Sequence, residues 1–170
     1  MDTIDDKTLN DLVDAVTKSV LSVSKTSKTD YSKGYITLDT ARKLVRRVEK
    51  EAEKIGVKAV VAVSNAAARP VIIECMDDSY IASYDVALNK AYTSVALKMP
   101  TSTLKTLTNP GDELYGIQFT NQGQIVIFGG GVPLIYNGEI IGGLGVSGGS
   151  EKQDTYLAKF GAEVFEEELS

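Results

Sequence analysis

Apolar residues recur at Leu9, Leu12, Val13, Val16 and Val20, the i, i+3, i+4 spacing of one helical face, with Asp11, Asp14, Thr17 and Lys18 opposite. Asp5 or Asp6 can cap this helix, and early acids suit the positive end of its dipole. Residues 22–30 are polar and short-sided, the composition of a linker. The pattern predicts a tethered amphipathic helix and linker over 1–33 and a main domain over 34–170. In that domain Thr37 is a good N-cap for a helix with the stripe Leu38, Ala41, Leu44, Val45, Val48, Ala52 and Ile55, stopped by Gly56. Residues 57–64 form a β-branched run expected of a strand buried on both faces, 65–69 a turn, and 70–75 the returning strand of a hairpin.

Helical spacing resumes over 79–98, where Ile81, Tyr84, Ala87, Leu88, Ala91, Val95 and Met99 are expected to face the core. Pro100 ends that helix, Thr101 to Leu104 start a short capped one, and Asn109-Pro110-Gly111 punctuates an irregular stretch over 112–121. Strands are predicted over 124–128, 132–136 and 139–146, the last two joined by Asn137-Gly138, a strong hairpin signal. A glycine-rich turn over 145–150 then feeds a final helix over about 152–167. Strands arriving in hairpins define an α+β fold with an antiparallel sheet, not a Rossmann fold.

Composition narrows the chemistry. Eighteen Lys and Arg face 23 Asp and Glu for a net charge of −5, with the acidic excess mostly in the last segment and no basic face. Nucleic acid is therefore not an expected partner. The chain has no histidine and one cysteine, which excludes Cys/His zinc sites, an intrachain disulfide and every His-dependent catalytic arrangement. No apolar run reaches the ~20 residues of a membrane span, so no membrane association is expected. The N-terminus lacks the pattern of a signal peptide, and a lone thiol suits the cytoplasm.

Gly145-x-Ser147-x-Gly149 matches a nucleophile-elbow pattern, but no histidine exists to take the serine proton, so it reads as a turn. Gly129-Gly130-Gly131 precedes Val132-Pro133 rather than Lys-Ser/Thr and is not a P-loop. Glycines there serve a bulge or tight turn, or form a backbone wall against a flat ligand. Gly148 and Gly149 precede a helix N-terminus, a place suited to a propionate or phosphate. Glu74, Asp77 and Asp78 read as a solvated cluster or a hard-cation site, and Cys75 as a core residue. Lys90, in mid-helix, either snorkels or needs an acidic or ligand partner.

The segments Asp85-Val86-Ala87-Leu88-Asn89-Lys90-Ala91-Tyr92-Thr93-Ser94, Met99-Pro100-Thr101-Ser102, Phe128-Gly129-Gly130-Gly131-Val132-Pro133-Leu134 and Gly142 to Gly149 follow one another as in the GlcG/HbpS family. That family is also found as the C-terminal domain of PduO-type proteins, and the chain resembles it over about residues 35–168. Pro110-Gly111-x-x-Leu114-Tyr115-Gly116 and Gln153-Asp154 are most similar to the PduO branch. The resemblance implies a five-stranded antiparallel sheet with flanking helices, assembly into homo-oligomers, and a link to haem or cobalamin. The PduO adenosyltransferase domain is not expected in this chain.

The N-terminal helix and linker resemble the encapsulation peptides of bacterial microcompartment cargo. That resemblance implies that Leu9, Leu12, Val13, Val16 and Val20 contact shell or cargo proteins through residues 1–23, in the lumen of a cytoplasmic compartment. The leading expectation is a non-catalytic, auxiliary binding protein for haem or a corrinoid. Lys90, Gly129, Gly130, Gly131, Pro133, Gly148 and Gly149 are expected to line its site. The alternatives are a structural oligomer without a cofactor, recruited by its N-terminal helix, and a His-free enzyme acting on a small metabolite.

Overall fold

A computed structural model of the chain describes Lys7 and residues 34–169. The amphipathic helix expected over 1–33, with Leu9, Leu12, Val13, Val16 and Val20, lies outside the described residues. The elements are α1 (Leu38–Lys54), β1 (Val60–Asn65), β2 (Pro70–Cys75), α2 (Ser83–Ala96), α3 (Thr101–Lys105), β3 (Gly131–Tyr136), β4 (Glu139–Ser147) and α4 (Glu151–Leu169). Thr37 caps α1 as its sequence predicts, with its side chain accepting the Thr40 N–H.

The strands form one antiparallel sheet in the order β2-β1-β4-β3. It has four strands among the described residues, not five. The missing strand is 124–128, whose backbone is bonded to a helix side chain instead of a neighbouring strand. Thr93 Oγ1 accepts the Val126 N–H at 3.0 Å, and its one proton faces the Asn89 carbonyl at 2.7 Å and the Gln124 carbonyl at 3.2 Å. Ile125 and Val126 are nevertheless buried.

One sheet face carries the main core. Val61, Val63, Leu134, Leu144 and Val146 pack there against Leu44, Val45 and Val48 of α1 and Leu157, Ala158 and Phe165 of α4. Each large side chain so buried contributes about 1.5–3 kcal/mol before entropy is counted. α1 and α4 are tied further by Tyr156, whose hydroxyl donates to Glu51 at 2.7 Å.

The other face is built for close approach. α2 lies over Gly143 and Gly145 of β4, where a Cβ on Gly143 would fall 2.7 Å from the Ala91 carbonyl oxygen and one on Gly145 would collide with that of Ala87. Ala87, Ala91 and Val95 are buried as expected for the 79–98 helix, but Ile81 and Tyr84 are not, which corrects part of its face. Its buried residues are Ser83, Ala87, Lys90, Ala91, Thr93, Ser94 and Val95, whereas Ile81 is 96% exposed and Tyr84 45%. Only small side chains fit against a glycine surface, so the large apolar ones are displaced to the flank of the helix. Cys75 is also corrected: it sits exposed at the end of edge strand β2, not in the core. Among the described residues no helix is long and apolar enough to cross a membrane.

Candidate functional site

α2 carries Lys90 into a junction with β4, α4 and the 128–131 loop. The residue has 0% exposure. Its ammonium donates to Asp154 Oδ2 at 2.7 Å and to the Val146 carbonyl at 2.8 Å. The Phe128 ring lies over it with its centroid 5.1 Å away, within cation–π range. Burial pushes the Lys90 pKa down, and the neighbouring Asp154 carboxylate opposes that shift. Of the two partners the sequence allowed for this lysine, the acidic one is present. Asp154 was missed as that partner, although a buried lysine calls for a carboxylate from another element.

Gly130 completes the junction. Its φ is +115°, and a Cβ there would lie 2.6 Å from Lys90 Nζ, so both conformation and space call for glycine. Its neighbours are held by side chains: Gly129 N–H donates to Glu151 Oε1 at 3.0 Å and Gly131 N–H to Thr101 Oγ1 at 2.9 Å. The Gly129 N–H, together with Lys105, holds the Glu151 carboxyl below the usual carboxylate range. Gly129, Gly130 and Gly131 therefore pack against the protein's own Thr155, Lys90, Asp154 and Thr101. Pro133 follows, half-buried in edge strand β3.

Gly148 and Gly149 stand apart from this junction, on a cleft of about 470 Å³ lined also by Val57, Lys58, Asp78, Tyr80, Ser150 and Gln153. The amides at this helix start already have partners: Gly149 N–H donates to Asp154 Oδ1 at 2.9 Å and Ser150 N–H to Gln153 Oε1 at 3.0 Å. Ser150 and Gln153 form a capping box that the Ser-x-x-Gln spacing signals in the sequence. Asp154 thus serves both places, bonding Lys90 with one oxygen and the cleft's Gly149 with the other. Ser147 is buried, with its hydroxyl 3.2 Å from that of Ser83. No group of three or more metal-ligating acids or cysteines is gathered among the described residues.

The predicted site residues accordingly fall in two places. In the inner junction the glycines pack against the protein's own side chains. The cleft is open, with a lysine, a tyrosine and glycine backbone, but no histidine to ligate a metal axially. Fold and site define an α+β domain whose antiparallel sheet carries a helix on a glycine-lined face.

Residues 36–163 match the family described as haem degrading protein HbpS-like, and the chain belongs to this HbpS-like family, which includes PduO C-terminal-like domains. It is 44% identical to an uncharacterized 15.0 kDa protein in the dhaT-dhaS intergenic region of Citrobacter freundii, over 78% of this chain and 93% of that protein. It is 33% identical to the corrinoid adenosyltransferase PduO of Citrobacter freundii over 88% of this chain, and spans 45% of that protein's length. Among solved structures, a PduOC:heme complex superposes with a TM-score of 0.73 at 35% identity, covering 76% of this chain and 94% of that one.

Proposed function

We propose that the chain is an auxiliary ligand-binding protein of a bacterial microcompartment, with a role connected to haem or a corrinoid and no catalysis of its own. The observation that carries this reading is the similarity, over three quarters of the chain, to a domain described in complex with heme. Within the chain, the cleft beside Gly148 and Gly149 suits such a ligand better than the packed Gly129-Gly130-Gly131 segment. Lys58 would meet an acidic substituent and Tyr80 would supply an aromatic contact. The chain acts as a homo-oligomer, with residues 1–33 as a separate tethered module that recruits it to shell or cargo proteins in the lumen.

Spectroscopic titration of the purified protein with haem and with cobalamin tests the ligand. Saturable binding at one ligand per chain is expected, weakened by Lys58→Ala. Absence of binding by either ligand sinks this reading. It would leave the second one, a structural oligomer without a cofactor, which is favoured by the missing histidine and by the filled glycine segment. Recruitment is tested separately. Leu12→Asp with Val16→Asp is expected to abolish co-purification with shells while leaving the main domain folded, and retained co-purification rejects a targeting role for the helix.

A further inference from the structure

α2 has more apolar surface than its own domain covers. Small residues occupy much of the side facing the glycines, while Tyr84, Leu88 and Tyr92 follow one another at helical spacing along a flank, and Ile81 stands in the turn just before the helix. Ile81 is 96% exposed, Tyr84 is 45% exposed, and Leu88 and Tyr92 are half-buried. Ile73 of edge strand β2, itself only partly buried, packs against the small cluster of Val60, Ala62, Ala87 and Ala91 beneath α2. At the far end of the flank, Tyr92 accepts a hydrogen bond from Asn121 at 3.1 Å, which brings the loop bearing the 83%-exposed Phe119 alongside. A helix with apolar residues beyond its core face needs a second layer of protein.

The charges around this flank are arranged along its length. Asp77, Asp78 and Asp85 stand at the N-terminal end and Lys98 at the C-terminal end, all exposed and without an ion-pair partner among the described residues. We propose that the Tyr84-Leu88-Tyr92 flank of α2, extended by Ile81 in the turn before it, is the surface on which a second copy of this chain docks, the two α2 helices running antiparallel about a twofold axis near Leu88. That orientation sets the acidic end of each helix against the basic end of its partner and opposes the two helix dipoles. It places Tyr84 of one copy near Tyr92 of the other, an aromatic contact suited to an interface centre. A parallel arrangement would instead bring the three aspartates of both copies together.

This inference rests on the self-association within the proposed function and names its surface. The full chain is compared by light scattering with an Ile81→Asp/Tyr84→Asp variant. Both positions are exposed, so the fold is expected to persist by circular dichroism while the mass falls twofold or the dimer dissociation constant rises at least a hundredfold. In a Cys75→Ser background, Leu88→Cys puts one thiol per chain beside the twofold axis, and mild oxidation is expected to yield a disulfide-linked dimer. A wild-type chain that stays monomeric overturns both the self-association and this surface. An oligomer that withstands the Ile81/Tyr84 variant and forms no cross-link through position 88 overturns this surface alone.

Discussion

Lys90 shows how one residue ties the domain together. Its ammonium joins α2 to β4 and α4 inside the protein, so removing either member of the pair strands a buried charge. Lys90→Met or Asp154→Asn is expected to cost about 3–5 kcal/mol in urea unfolding, whereas Lys90→Met with Asp154→Leu recovers most of that loss. Gly145 tests the steric side of the same packing. Gly145→Val drives a branched side chain into the Ala87 backbone and is expected to cost about 3 kcal/mol or more. Glu151 gives a pH dependence. Its folded carboxyl titrates below the usual range because the Gly129 N–H, then Lys105, favours the charged form. The stability it contributes is full above the unfolded carboxylate range and is lost as pH falls through the lower folded value. The stability gap between wild type and Glu151→Gln is therefore expected to be largest near neutrality and to close in acid, with unfolding midpoints as the readout.

At the scale of elements, α1 is the part most completely written into its sequence. Its cap, apolar stripe and stop are all local, and Thr37→Ala is expected to cost about 1 kcal/mol in thermal or urea unfolding. The β1–β2 and β3–β4 hairpins were legible for the same reason, since alternation and turn residues act over a few positions. The 124–128 segment was not, because its β-rich composition is overruled by Thr93, a residue distant in sequence. The face of α2 is legible at Ala87, Ala91 and Val95 but not at Ile81 and Tyr84, again on physical grounds. Hydrophobicity locates a core face only when the opposing surface has side chains to meet it, and here that surface is glycine. Cys75 followed the same logic: its apolar strand suggested burial, but β2 lies at the sheet edge. Lys90 was recognisable as a residue needing a partner, although nothing local pointed to Asp154.

For the whole molecule, the order in which the strands occur in the chain matters as much as their order in the sheet. β1 is central, yet its second neighbour β4 begins at Glu139, and Lys90 waits for Val146 and Asp154. During synthesis, then, the β1–β2 hairpin and α2 emerge well before the strand that closes the sheet against them. Until β4 leaves the ribosome, one edge of β1 stays open and α2 has no glycine bed to lie on. A nascent chain halted before Glu139 is expected to remain protease-sensitive, and one extended past Asp154 with enough linker to clear the exit tunnel is expected to become resistant. The close contact between helix and glycine strand is thus expected to make folding of this domain a late event in its own translation.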